Sequence, residues 1–216
     1  MSNTTESGER HRNDTTMMYA VHDAFQRDLD SLTSLAERGI TGDPAVRVGW
    51  ERFKTYLHIH HTAEDTHLWP VLRAKVAGMP AELGVLDQME NEHTGLTSLL
   101  DTLDAALTTS SPQPAVHAQR LADALTAHCD HEEEKALPLV AGLLTAGEWE
   151  AFGAEQRRQL GISGAASFFP WLLDGATDET RHKVLGYLPP PVRLLYRAVW
   201  RPRYLRGPRW DSLARS

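Results

Sequence analysis

The stretch His128-Cys129-Asp130-His131-Glu132-Glu133-Glu134-Lys135-Ala136-Leu137-Pro138 has an echo far upstream, His60-His61-Thr62-Ala63-Glu64-Asp65-Thr66-His67-Leu68-Trp69-Pro70. Superposed, His60 falls on His128, Glu64 on Glu132 and Pro70 on Pro138, so both copies read His-x-x-x-Glu with a Pro six residues after the Glu. On a helix, positions i and i+4 lie one above the other on the same face. Each copy therefore aims an imidazole and a carboxylate the same way. Two such pairs facing each other across a helical bundle make a cage of nitrogen and oxygen donors, the ligand set of a redox-active transition metal.

The rest of the chain supplies helices to carry the cage. Asp14 is a candidate N-cap for a helix over residues 14–38 that stops at Gly39. Its apolar stripe, Met18, Phe25, Leu29 and Leu32, includes His22. Asp43-Pro44 opens a second helix with Phe53, Leu57, His60, Glu64, Leu68 and Val71 on one face. Pro70 predicts a kink rather than an end there, because the apolar period continues to about residue 76. A third helix, 81–108, carries Leu86, Met89, His93, Leu96, Leu100, Leu103 and Leu107. After a loop at 109–114, a fourth, 115–142, turns Leu121, Leu125, His128, Glu132 and Leu139 inward.

Helices one and two thus carry His, then His-x-x-x-Glu, and helices three and four repeat it. The separations agree with an internal duplication: His22 to His60 is 38 residues and His93 to His128 is 35. No segment shows the alternation of a strand. The predicted fold is all-α: an antiparallel up-down four-helix bundle over 15–144, preceded by a disordered lead (1–14) and followed by a helical, basic extension (145–216). In the extension, Thr145 and Glu148 form a candidate capping box, a helix runs to about 160, residues 161–164 break it, and short helical pieces follow.

A lone buried histidine is usually a satisfied core residue. Here four histidines and two glutamates fall on the inward lines of four helices, and no Lys or Arg sits on those lines. Burying Glu64 and Glu132 unpaired costs several kcal/mol each, on the order of what breaking a buried ion pair costs, and a dinuclear metal centre supplies the missing charge. His61 and Asp65 are also four apart, but their counterparts are Cys129 and Glu133, so that pair is not repeated. An outer or surface role is expected for His61, as for His58, His67 and His131.

This pattern resembles the hemerythrin-like (HHE cation-binding) family over about residues 15–144. The resemblance implies an oxo- or hydroxo-bridged pair of iron ions, with His22, His60, His93 and His128 as terminal ligands and Glu64 and Glu132 bridging. The oxygen-carrying hemerythrins have a His-x-x-x-His pair on the third helix, and Met89 stands where the first of these is expected. They also have His-x-x-x-x-Asp on the fourth helix, where this chain has His-x-x-x-Glu. The set is closer to bacterial sensor and stress-response members. One histidine fewer implies an iron position on the His93 side that is open, water-filled or reached by Glu90 or Glu92. The implied function is a cytoplasmic di-iron protein that binds or reacts with O2, NO or H2O2 in oxidative or nitrosative stress. The alternatives are a di-iron enzyme that disproportionates peroxide or reduces NO, and a repair protein for iron–sulfur clusters. The last is disfavoured because the related branch carries adjacent cysteines and this chain has one cysteine in all.

Composition sets the remaining bounds. A single cysteine excludes an internal disulfide. The first residues hold no apolar run like that of a signal peptide, and no stretch approaches membrane-spanning length. The net charge of −7 is uneven: residues 181–216 hold nine Lys/Arg and one Asp, a net of +8, which leaves −15 on the remainder. The arginines of this tail alternate with aromatic and aliphatic residues. The segment reads as a tail docked on its own acidic bundle or as a basic patch for an anionic partner. Prolines at 189–191 and 202 favour the first reading, and no motif points to nucleic acid.

Overall fold

The computed structural model describes residues 13–109, 113–210 and 213. All regular structure among them is helical. Helix α1 (Thr16–Glu37) ends just before Gly39, which turns the chain with φ +70°, a conformation that a side chain disfavours. Helix α2 (Pro44–Ala63) starts as the sequence predicts: Asp43 accepts from the Ala45 N–H and Pro44 occupies the first turn. Beyond Ala63 the helix does not stop. It widens into a π turn, Glu64–Leu68, and continues as α3 (Trp69–Lys75). Helix α4 (Pro80–Thr108) is followed by α5 (Pro114–His131), a second π turn at Glu132–Ala136, and α6 (Leu137–Leu143).

The repeated prolines explain the two wide turns. Pro70 and Pro138 have no N–H to donate, and each ring crowds the carbonyl four residues back, at Thr66 and Glu134. Both carbonyls lie inside the widened turns, where i→i+5 bonding absorbs the misfit. The sequence signature is therefore a ligand-type Glu, a wide turn, and the proline that causes it.

Residues 1–12 of the expected lead and 110–112 of the expected loop lie outside the described residues. Asn13, assigned to the lead from sequence, is instead buried, and its amide donates to the carbonyls of Val140 (3.3 Å) and Leu144 (2.9 Å) at the end of α6. Helix α7 (Ala146–Leu172) opens with the predicted Thr145–Glu148 capping box. The break expected over 161–164 is confined to Gly161, at φ +64°, with helix on both sides. Short helices α8 (Asp178–Gly186), α9 (Pro190–Leu195) and α10 (Arg201–Arg206) follow, the last two joined by a third π turn, Tyr196–Trp200.

Packing divides the interior into two apolar clusters. One gathers Phe25, Phe53, Leu57, Leu96 and Leu125 with Phe168, Trp171, Tyr196 and Trp210 from the C-terminal segment. The other holds Met18, Leu68, Trp69, Leu86, Met89, Leu137, Val140 and Phe152. Each such side chain contributes about 1.5–3 kcal/mol by burial. The C-terminal segment is thus part of the core: Trp171 packs on Phe25 and Tyr56, and its Nε1–H donates to buried Asp28 (2.7 Å).

Trp210 lies flat on Gly49, where an added Cβ would sit 2.4 Å from the indole. Gly49→Ala is expected to lever Trp210 off α2 and destabilise the protein by about 1–3 kcal/mol, the usual cost of overpacking. Thermal unfolding measures the loss, and early tryptic cleavage at the C-terminal arginines shows where it occurs.

Candidate metal centre

The six residues that the sequence singles out all lie at the boundary between the two clusters. On α1, His22 falls between Met18 and Phe25. His60 on α2 and Glu64, first residue of the π turn that follows, fall between Leu57 and Leu68. On α4, His93 falls between Met89 and Leu96. His128 on α5 and Glu132, first residue of the second π turn, fall between Leu125 and Ala136. A single polar layer thus separates two apolar ones. All six side chains are buried, the two glutamates fully.

The ring nitrogens converge. His22 Nε2 is 3.2 Å from His60 Nε2, and His93 Nε2 is 3.2 Å from His128 Nε2. Ligand-type atoms of His22, His60, Glu64 and Glu132 lie within 4.8 Å of one another. Glu132 Oε2 is 3.1 Å from His22 Nε2. Glu64 turns one oxygen to each side: Oε1 is 3.1 Å from His60 Nε2 and Oε2 is 3.6 Å from His93 Nε2.

Three carboxylates hold the outer edges of these rings: Glu133 and Asp65, to which the sequence reading gave no role, and Glu92, which it placed at the open position. Glu133 accepts from His22 Nδ1, Asp65 from His93 Nδ1 and Glu92 from His128 Nδ1, each at 2.8 Å. Glu92 also takes His131 Nδ1 at 2.8 Å, which places His131 in the outer role expected of it. A carboxylate only accepts, so each of these Nδ1 atoms carries a proton, and wherever the ring is neutral its Nε2 presents a lone pair inward. The signal for two of them was in the echo: Asp65 and Glu133 each follow the repeated Glu, and each serves the histidine of a different helix.

His61 departs from its expected outer role. Its ring stacks on His93 at 3.9 Å between centroids, and its Nε2 is buried without a hydrogen-bond partner. Ligand atoms of His61, His93 and His128 lie within 4.8 Å of one another. Glu90 turns away to Arg73 (3.0 Å), and His58 and His67 are exposed. Met89 is also not a stray replacement: counted back four from His93, it matches Met18, four before His22, and both methionines fill the second apolar cluster.

Electrostatics tests whether this layer suits a cation. His93 and His128 face each other through Nε2 atoms 3.2 Å apart, and with their Nδ1 atoms bonded to carboxylates the neutral rings turn two lone pairs toward one another. All four oxygens of Glu64 and Glu132 are buried and make no hydrogen bond of acceptable geometry. Burial, then the neighbouring Glu132 and Asp65, push the Glu64 carboxyl well above the ordinary range. Burial lowers His60 and His61, further depressed by the surrounding imidazoles. Burial opposes ionisation of His22 too, but the Glu132 and Glu133 carboxylates reverse it and raise His22 to about 9. Lone pairs aimed at one another and unpaired buried oxygens cost free energy unless a cation sits among them. The donor set fits a metal of the nitrogen and oxygen class.

A buried layer of imidazoles and carboxylates in an all-helical protein defines a helical metal-binding protein. The family model described as the hemerythrin HHE cation-binding domain matches residues 13–140. The chain belongs to that family. No curated protein and no solved structure matches it significantly. No helix among the described residues is long and apolar enough to cross a membrane.

Proposed function

We propose that this chain is a cytoplasmic non-haem di-iron protein that binds or reacts with a small ligand, O2, NO or H2O2, in oxidative or nitrosative stress. The observation that carries the reading is Glu64, fully buried with one oxygen toward His60 and the other toward His93. That disposition suits a carboxylate shared between two ions. In this reading His22, His60, His93 and His128 are terminal ligands, Glu64 and Glu132 bridge, and His61 joins the His93–His128 side. The bound pair supplies reversible one-electron chemistry and a site for a small ligand. The chain's own residues do the rest. Glu133, Asp65 and Glu92 fix the imidazole tautomers, and the apolar clusters on either side exclude charged solutes. Three imidazoles would hold an ion on the His93 side and two on the other, so the His22–His60 side would be the one to take an outside ligand. This reverses the side inferred from Met89.

The proposed architecture is an up-down antiparallel bundle of α1, α2, α4 and α5 with residues 145–216 as an extension. Its support is the order in which each helix meets the clusters. From N to C, α1 and α4 pass from the cluster of Met18 and Met89 (the methionine cluster) to that of Phe25 and Phe53 (the phenylalanine cluster), and α2 and α5, with the π turns and helices α3 and α6 that continue them, pass the opposite way. Helix α1 packs on α2 and α5, and α4 on α5.

Anaerobic loading with Fe(II), followed by elemental analysis, is expected to give about two irons per chain, as the donor set for a coupled pair requires. Oxidised protein should then show near-ultraviolet oxo-to-iron absorption. One iron per chain without that band sinks the di-iron reading. Rapid mixing with H2O2 separates an enzyme, which releases O2 over many turnovers, from a carrier or sensor, which reacts once.

A further inference from the structure

The segment from α9 to α10, residues 190–206, has two faces with different tasks. One face lies on the protein: Tyr196 is buried, Trp200 and Tyr204 are half-buried, and Arg52 sits over the Tyr204 ring at 5.2 Å. The aromatic side chains do pack on the body, as one reading of the sequence expected. The other face points to water. Leu194 is 68% exposed and Val199 47%, with Leu195 and Leu205 also exposed. Four of the nine large apolar residues exposed among the described residues thus fall within twelve positions, which makes a patch rather than scatter. The π turn Tyr196–Trp200 keeps it together, since its i→i+5 pitch sets Val199 one turn beyond Leu194.

Arginines rim that patch. Arg197, Arg201 and Arg206 are exposed, and none has a carboxylate within ion-pair distance among the described residues. Other arginines nearby behave differently: Arg209 pairs with Asp174 (2.8 Å) and Arg181 with Asp178 (2.6 Å). The body carries enough acid to pair them all, yet these three stay exposed and form no ion pair among the described residues. No Asp or Glu occurs from residue 180 to 210, and residues 190–206 contain no Ser, Thr, Asn or Gln either. The outward face is built only of guanidinium groups and hydrocarbon. It lacks the amide and hydroxyl groups that read a polar protein surface or a base edge.

We propose that the outward face of residues 190–206 docks this protein on an anionic lipid surface. Leu194, Leu195 and Val199 enter the boundary between headgroups and acyl chains, while the arginines snorkel to lipid phosphates. The acidic remainder of the chain is repelled by the same surface, which leaves this face as the one that can approach. The prolines do not prevent it: Pro190 stands in the first turn of α9, where no N–H is required, and the misfit of Pro202 is absorbed by the π turn Tyr196–Trp200 before it, as at Pro70 and Pro138.

The test is flotation of metal-loaded, full-length protein with vesicles of phosphatidylglycerol and phosphatidylcholine, beside pure phosphatidylcholine. Binding is expected on the anionic vesicles only, and salt should weaken it. Arg197→Ala with Arg201→Ala should reduce partitioning about 10- to 30-fold, the effect of two surface arginines. Leu194→Glu should abolish it. Unchanged metal content and circular dichroism establish that these solvent-facing variants are folded. Equal binding to neutral vesicles overturns the proposal, and so does no binding to either. Sedimentation velocity covers the rival occupant: a dimer dispersed by Leu194→Glu, with no vesicle binding, assigns the face to a second copy of the chain.

Discussion

His61→Ala is expected to lower metal content from about two ions per chain to about one, whereas His58→Ala, one turn away on the exposed face, leaves it unchanged. The reason is local. His61 has a buried, unpartnered Nε2 in a group with His93 and His128, and its ring lies flat on His93. Removing it takes one nitrogen donor from that side and frees the His93 ring to rotate. A hundredfold loss of affinity removes about 2.7 kcal/mol of metal-linked stability, so thermal unfolding should drop in loaded protein. Chelated protein should lose little, because a buried imidazole without a partner contributes little there. His61→Phe separates packing from ligation, as it restores the stack but offers no nitrogen. Two ions per chain in His61→Phe would reduce His61 to a packing residue.

The second large effect concerns protein stripped of metal, whose stability should fall as pH rises from 6.5 to 9. His22, held at about 9 in the folded chain against 6.5 unfolded, is raised by the Glu132 and Glu133 carboxylates against the pull of burial. A group raised by folding stabilises fully below its unfolded value and loses that stabilisation as pH climbs through the folded one. Glu64, also raised, acts in the same direction. His60 and His61 are lowered, so their stabilisation is already complete above 6.5 and does not oppose the fall. The loss from His22 amounts to about 3 kcal/mol at most. Urea unfolding at a series of pH values reads it directly, and Glu132→Gln should flatten the curve. Loaded protein should behave in the opposite sense, since ligands must shed protons to bind metal and affinity rises with pH. A metal-free protein that gains stability between pH 6.5 and 9 would refute this account of the layer's charges.

Much of this was legible in the chain because duplication writes each part twice. His60 and His128, Glu64 and Glu132, and Pro70 and Pro138 identify one another, and helical spacing places them inward; the structure sets all six predicted ligands in one layer. The same comparison hid His61, whose counterpart is Cys129, a buried side chain packed in the phenylalanine cluster. A repeat exposes what its copies share and conceals where one copy differs. Met89 misled for the converse reason. Set against an outside family it looks like a lost ligand; set against Met18, its counterpart in this chain, it is core. Asn13 could not be read at all, because its partners are carbonyls 127 and 131 residues away and a helix end advertises no side chain for them. The Gly161 break was overdrawn because one residue with positive φ is enough to redirect a helix.

The sandwiching of the polar layer between two apolar clusters has a consequence for traffic. Among the described residues, hydrocarbon covers the centre along the helix axes on both sides. At the sides, Glu133, Asp65 and Glu92 are 27%, 42% and 32% exposed and each hydrogen-bonds a ring of the layer. These carboxylates therefore stand as relay stations on the flank: wet on one edge, bonded to an imidazole on the other. Through that rim the layer meets the solvent at its sides.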